Sequence, residues 1–377
     1  MLSRLAELIK STWVKLVFGA VFVLVNVTLY LQSKDFILHT IFPQTASNTS
    51  FPSDSTNVTN FYNMSALSQN IRISGSTGGS GQTNLNLVTT ERSFLREQVV
   101  NPHDFNYVLK PNVSCSNEDV TLVICVPITS TNYVGRAVVR QTWGSYAYNT
   151  SNKARLVFFL GRIPPEYENS SAYTQGNITE ESKQYGDILQ EDFLDTYRNL
   201  SLKSVSILKW VVMFCNASRF VLKVDDDMYV NIPFLVKTLH EYSLEKSRPE
   251  AYVVGSLQVN AHPTKDSNSK WYSPNSPYFH KTYPNYVSGT AYAMTGITAA
   301  ILYQASLRVP IFWLEDVYIT GICTKKASVQ VFNSNYFSYG KPSVSGCSFK
   351  AHVSGHRYTH KEILQIHKEL YDPNKKC

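Results

Sequence analysis

Hydrophobic and polar positions divide the 377-residue chain into three regimes. Residues 16–31 are almost wholly apolar, interrupted only by Asn26 and Thr28. Extension back to Trp13 gives the ~18–20 residues that a membrane-spanning helix requires. From about residue 36 to 90, Asn, Ser, Thr and Gly dominate, and residues 75–81 (GSTGGSG) read as a flexible linker. Such a segment cannot bury enough apolar surface to offset the entropy of ordering it. Beyond it, short apolar runs alternate with helical periodicity. Residues 120–128 (VTLVICVPI) and 156–160 (LVFFL) are continuous apolar runs, the pattern of strands buried on both faces. Shorter strands are expected at 187–190, 220–224 and 251–257. Helices are expected at 136–143, at 199–214, where Val205, Leu208, Val212 and Cys215 recur every three to four residues, and at 232–245, with Pro233 in the first turn. This βαβα rhythm predicts an α/β domain, a mostly parallel sheet with helices on both faces.

The same pattern sets the organisation: a cytoplasmic tail (1–13), a transmembrane anchor (14–32), a flexible stem (33–92) and a globular domain (93–377). Arg4, Lys10 and Lys15 outweigh Glu7 before the span, which places residue 1 in the cytosol and the domain in a lumen. A cleaved signal peptide would have a shorter apolar region followed by small residues, whereas bulky Tyr30, Leu31 and Gln32 follow this one. Cys115, Cys125, Cys215, Cys323, Cys347 and Cys377 all lie beyond the span, where an oxidising lumen lets them pair. Their pairing is not fixed by spacing, and Cys125, inside an apolar strand, also fits a buried thiol. Glycosylation sequons begin at Asn48, Asn57, Asn63, Asn112, Asn149, Asn169, Asn177, Asn199 and Asn216. The net charge of +7 is dispersed, with no basic stripe interleaved with aromatics, so nucleic acid is not an expected partner. It suits an anionic substrate.

Candidate chemistry centres on Asp225, Asp226 and Asp227, which follow an apolar, strand-like run. Hard divalent cations prefer oxygen ligands, and open α/β sheets bind ligands at the C-terminal ends of their strands. An isolated Asp triplet also fits a solvated turn, but the apolar flanks favour a metal that binds a nucleotide diphosphate. Arg136 and Arg140, four apart, share a helix face. Arg suits phosphate and uracil, and Trp143 would pack beside the nucleotide; the alternative is a solvated Arg face and a core Trp. Lys223 is either a donor contact or a partner for the acidic cluster. Asp192, Asp195 and Asn199 are expected to shape and cap the helix that follows, and only secondarily to shape the site. Glu315 and Asp316 come after the apolar residues 311–314, and burial there would raise a carboxyl pKa towards useful basicity. A helix cap is a compatible second role.

Five segments carry a family resemblance. RAVVRQTW (136–143) resembles the R-x-x-x-R-x-T-W motif of the β-1,3-glycosyltransferases, the galactosyl- and N-acetylglucosaminyltransferases of the Golgi. EDFLDTYRNLSLK (191–203) is similar to their E-D-x-x-D-x-Y-x-N-L-T-x-K, and KVDDDMYVN (223–231) to K-x-D-D-D-x-F/Y-x-N. YPNYVSGTAY (283–292) resembles Y-P-x-Y-x-x-G-x-x-Y, and EDVYITG (315–321) their E-D-V-Y-x-G segment. The motifs stand in family order over about residues 119–377. Met228 departs from the pattern, and residues 330–350 match it poorly, which leaves the acceptor-facing surface open.

The resemblance implies a glycosyltransferase A-type nucleotide-binding fold and a Golgi, single-pass type II enzyme with a lumenal domain. It implies a UDP-sugar donor, an acceptor glycan on glycoprotein or glycolipid, and inversion to a β-1,3 linkage. UDP-galactose is the expected donor, with UDP-N-acetylglucosamine as the alternative, and a non-catalytic lumenal chaperone or lectin-like relative as the rival from another class. It implies Asp316 as general base and Mn2+, or Mg2+, as cofactor. Asp227 and His356 would be the metal ligands, with His352 and His360 as rivals to His356. Donor binding falls to Arg136, Arg140, Trp143, Lys223, Asp225, Asp226, Tyr286, Gly289 and Glu315, with Asp225 nearer the ribose. Tyr283, Tyr286 and Tyr292 either line the sugar site or form a half-buried strand.

Overall fold

A computed structural model describes residues 92–377 apart from 114, 116–118, 168–173 and 275–279. The expected tail, anchor and nearly all of the stem lie outside the described residues. No described helix is long and apolar enough to cross a membrane.

The main sheet is built from Tyr107–Leu109 (β1), Leu122–Pro127 (β2), Ala154–Arg162 (β3), Ile188–Leu194 (β4), Phe220–Val224 (β5), Tyr252–Gln258 (β7), Tyr286–Thr295 (β8) and Gln330–Asn333 (β9). Tyr229–Val230 (β6) and Ser354–Gly355 (β10) form a separate two-stranded ribbon. The order in the main sheet is β1-β4-β3-β2-β5-β8-β7-β9. Strands β4, β3, β2 and β5 run parallel, but β8 lies antiparallel between β5 and β7. Strands β7 and β9 run with them and only β1 and β8 are reversed, so the sheet is mostly parallel, as expected, with one antiparallel strand inserted and one at an edge. The insertion of β8 has a local reason: β8 is reached from β7 through the excursion 259–285, whose described residues form no crossover helix, and it returns antiparallel.

Alternation along the central strands feeds two cores. Val123, Cys125, Val157, Phe159 and Val221 point to one side, where the helices Leu200–Phe214 (α3) and Gly296–Ser306 (α5) cover them. Leu122, Ile124, Val126, Leu156, Phe158 and Leu222 point to the other, beneath Tyr133–Gln141 (α1), Ile232–Leu244 (α4) and His360–Leu370 (α7). Burial on both faces explains why these strands read as unbroken apolar runs. The remaining α-helices are Gln175–Tyr185 (α2) and the short Thr324–Ala327 (α6). Helix α1 starts three residues earlier than its pattern indicated because the Asn132 side chain caps it, accepting from the Gly135 N–H.

Two features bring distant chain to the strand ends. Strand β10 pairs with β6, so the C-terminal segment folds back beside the Asp triplet. Gly355 permits this approach: a Cβ there would lie 2.8 Å from both Pro342 Cδ and Tyr358 Oη. Disulfides join Cys115 to Cys215 and Cys347 to Cys377, and Cys125 and Cys323 are buried thiols.

Candidate active site

A cleft of about 380 Å³ opens where β2 and β5 end, and it is lined by Asp225, Asp226, Asp227, Lys223, Gly289, Glu315, Asp316 and His356. Eight of the residues singled out by sequence thus meet in one place, at the expected end of the sheet.

The acidic turn is held from below. Asp225 N–H donates to Thr290 O (2.9 Å), and Trp143 Nε1–H donates to Met228 O (2.9 Å). Asn132 Nδ2 donates to Asp226 Oδ2 at 2.5 Å, linking the loop after β2 to the triplet. Tyr358 N–H donates to Asp227 O (3.0 Å), and His356 Nε2 lies 3.2 Å from Asp227 Oδ2. The β6–β10 pairing makes that meeting possible. His352 hydrogen-bonds the Ser348 carbonyl and His360 begins α7, so neither shares this contact. Burial pushes the Asp225 carboxyl up to about 6 against the pull of Lys223, and the Glu315 and Asp227 charges push the same way. Asp226 is raised too, by burial and then by Asp227. The turn carries more negative charge than its surroundings neutralise.

Lys223 is buried beneath the turn. Its Nζ donates to Asp225 Oδ1 (2.7 Å) and to the Gly289 carbonyl, and lies 3.4 Å from Glu315 Oε2. Burial opposes its charge, but Asp225 and Glu315 outweigh that and hold its pKa above the ordinary lysine value. Glu315 in turn accepts from Ser204 Oγ (2.8 Å) and Tyr292 Oη (2.6 Å). Lys223 and Glu315 therefore brace the site as well as line it.

Asp316 is fixed by two backbone donors. Oδ2 accepts from Gly289 N–H (3.0 Å) and Oδ1 from Val317 N–H (2.8 Å), at the start of a π-helical segment, Val317–Cys323. The capping role and a place in the cleft coexist. Gly289 permits the approach, since a Cβ there would stand 3.0 Å from Glu315 Oε2 and 3.1 Å from Asp316 Cβ. Burial and then the Glu315 charge raise the Asp316 carboxyl to about 6, while the two N–H groups pull the other way.

Four expected donor contacts are placed elsewhere. Arg136 and Arg140 share a helix face, but that face meets α2 and the start of β4 rather than the cleft. Arg136 forks onto Glu181 (2.7 and 2.8 Å) and donates to Thr129 O and Ser130 O. Arg140 pairs with Asp187 (2.7 and 2.8 Å) and Glu181 (2.7 Å) and stacks on Tyr185. With these donors committed, Arg136 pins the loop that floors the cleft. Trp143 is buried core beneath the triplet. Tyr286 packs against the core beside Tyr283, and Tyr292 is spent on Glu315, so the tyrosines of β8 do not line the described cleft. Asn199 hydrogen-bonds back to Leu194 O and makes no side-chain cap on α3.

Asp195 was expected at the site only in a secondary role, and Tyr197, Lys203, Lys270 and Trp313 were not singled out for it by pattern. Asp195 joins Lys203 (2.7 Å) to the N–H groups of Ser130 and Gly161, tying α3, the loop after β2 and the end of β3 together. Tyr197, Lys270 and Trp313 form the wall beyond Asp316. Asp195, Tyr197 and Lys203 sit inside the 191–203 motif, which was the one signal available for them.

With this geometry in place, comparison with known proteins decides the family. The galactosyltransferase family model matches residues 135–335. The chain belongs to the galactosyltransferase family. β-1,3-Galactosyltransferase 1 of Mus musculus is 30% identical over 276 residues, covering 73% of this chain and 82% of that protein. β-1,3-Galactosyltransferase 5 of Homo sapiens is 31% identical over 280 residues, covering 74% of this chain and 87% of that one. Among solved structures, the galactosyltransferase LgtC in complex with donor and acceptor sugar analogs superposes with a TM-score of 0.34 at 10% identity, over 67% of this chain and 98% of that one, and carries no argument. The protein is a glycosyltransferase, and the cleft is its candidate active site.

Proposed function

We propose that this galactosyltransferase-family protein is an inverting, metal-dependent hexosyltransferase that moves galactose from UDP-galactose to an acceptor-glycan hydroxyl, forming a β-1,3 linkage. The observation that carries the reading is Asp316, a carboxylate fixed by two backbone N–H groups in the same cleft as Asp225, Asp226, Asp227 and His356.

Inversion requires a base on the sugar face opposite the leaving group. Ionised Asp316 accepts the acceptor hydroxyl proton as that oxygen attacks the anomeric carbon. The bond from that carbon to the diphosphate oxygen breaks, and UDP departs with the electron pair. Asp316 does not swing away because Gly289 and Val317 hold both its oxygens. Lys223 keeps Asp225 oriented as an acceptor for donor hydroxyls.

Among the described residues no three His, Cys, Asp or Glu side chains are grouped to hold a metal, and the cation reading rests on two donors at the triplet. Asp227 offers a hard oxygen and His356 an imidazole nitrogen 3.2 Å away, a combination that suits Mn2+ and tolerates Mg2+. The Asp225 and Asp226 carboxyls, raised first by burial and then by neighbouring carboxylates, support the same reading. Bound there, the ion would neutralise charge developing on the diphosphate.

The compartment reading, a type II Golgi enzyme with its domain in the lumen, is supported by the apolar residues 16–31 and by two disulfides, which belong to an oxidising compartment.

The test is product formation by the full-length protein in detergent, with Mn2+, a panel of UDP-sugars and glycan acceptors. Transfer from UDP-galactose is expected, lost on chelation. Asp316→Asn is expected to lower it by roughly 100-fold or more, in line with removal of a general base, while UDP binding is retained. Preference for UDP-N-acetylglucosamine would move the donor assignment. Absence of both transfer and UDP binding would overturn the reading.

A further inference from the structure

The cleft wall beyond Asp316 differs in chemistry from the acidic floor. Tyr197 stands in the turn Tyr197–Asn199 between β4 and α3 and is 49% exposed, although it lines the cleft. Trp313, three residues before the base, lies 6.3 Å from it between ring centroids. The Arg198 guanidinium stacks on the indole at 4.0 Å and fixes its plane. On the other side of Tyr197, Lys270 sits 5.9 Å from its ring and 4.7 Å from that of Trp271, itself 47% exposed. No carboxylate stands within ion-pairing distance of Lys270 or Arg198 among the described residues. Trp313 Nε1–H is a shielded donor with no partner among the described residues. Tyr197 and Asp316 line the same cleft, and burial and then the charge of Asp316 raise the Tyr197 phenol.

Exposed aromatic area at a cleft is costly to leave wet, and aromatic rings pack well on the apolar faces of pyranoses. The diphosphate is assigned to the acidic turn under the proposed function, so the wall next to Asp316 is left for the second substrate. We propose that Tyr197 and Trp313 form the acceptor subsite. The terminal pyranose of the acceptor glycan packs on the Tyr197 ring, and Trp313 gives one edge of the subsite its hydrogen-bond donor. Arg198 is a positioning residue that holds the indole. Lys270 supplies a donor for ring or hydroxyl oxygens at the other edge. This wall would therefore hold the acceptor glycan by a ring face, which a serine side chain does not offer. The inference rests on the transferase reading above.

The experiment measures steady-state transfer by the full-length protein with a pyranoside acceptor and with a serine-containing peptide. UDP-sugar hydrolysis without acceptor is followed in parallel. Tyr197→Ala is expected to raise the acceptor KM about tenfold or more, with the donor KM and acceptor-free hydrolysis unchanged. Tyr197→Phe, which keeps the ring, restores the acceptor KM. Trp313→Phe raises the acceptor KM several-fold and again leaves the donor KM alone. An unchanged acceptor KM in Tyr197→Ala would overturn the proposal while donor hydrolysis persists, and so would serine-peptide transfer equal to pyranoside transfer. If the wild type neither hydrolyses nor transfers a UDP-sugar, the transferase reading itself has failed and this inference falls with it.

Discussion

At the scale of single residues, the site works by placing carboxylates where solvent and neighbours treat them differently. Asp316 and Asp225 are both raised to about 6, but Asp225 has a lysine at 2.7 Å and Asp316 has only two amide hydrogens. Asp316 is thus the carboxylate free to take a proton. A base with a pKa near 6 works only when ionised, so transfer should rise with pH through about 6 and level off above it. A pH–rate profile checks this; a rate that stays flat down to pH ~4, the ordinary carboxylate value, would remove Asp316 from that role. The linkage sign separates this limb from denaturation. A raised carboxyl pKa in the folded state means that ionised Asp316 subtracts from stability at neutral pH, and the cost disappears as pH falls through about 6 towards the unfolded value. From this residue, the loss of rate on acidification therefore comes with a gain in stability.

At the scale of elements, the cleft depends on loops pinned by buried ion pairs. Lys203 on α3 and Asp195 after β4 are both 1% exposed and meet at 2.7 Å. Lys203 also donates to Ile128 O, and Asp195 accepts from Ser130 and Gly161. Lys203→Met removes one partner and leaves a buried carboxylate, a change worth about 3–5 kcal/mol of stability. Urea unfolding should show that loss, with transfer falling as the loop after β2 loosens. A variant as stable as the wild type would mean that the pair does not hold the floor. At this scale sequence was informative in a limited way. Strands β2, β3 and β5 were legible because burial on both faces leaves an unbroken apolar run, and Asp225 to Asp227 stood out against one. The spacing of Arg136 and Arg140 correctly put them on one face, but periodicity says only which residues share a face. Glu181 and Asp187, about 45 residues away, decide what that face meets. The tyrosines of 283–292 posed the same problem. A strand alternates its side chains, and whether a given face meets the cleft or the core depends on its neighbours, here β5 and β7. The antiparallel insertion of β8 was illegible for a related reason, because no local signal encodes strand direction.

For the whole molecule, the organising fact is that one cleft gathers residues from both ends of the domain. Strand β5 supplies the triplet, β8 the amide that holds Asp316, and the C-terminal segment His356, carried in by the β6–β10 ribbon. The motif order along the chain indicated that these segments belong together; the ribbon and the glycines at 289 and 355 explain how they meet. The Tyr197–Trp313 wall stayed hidden because its members come from separate loops that no periodicity links. All these parts serve one claim, that Asp316 directs an acceptor hydroxyl onto the face of the sugar opposite the diphosphate. The most direct measurement is the anomeric configuration of the initial product, read by proton NMR while full-length protein turns over UDP-galactose, whose sugar is α-linked, with a pyranoside acceptor. Formation of a β-linked 1,3 disaccharide from the first turnover is the expected result. An α-linked product would mean retention of configuration and would contradict a mechanism in which Asp316 acts as the base of a single displacement.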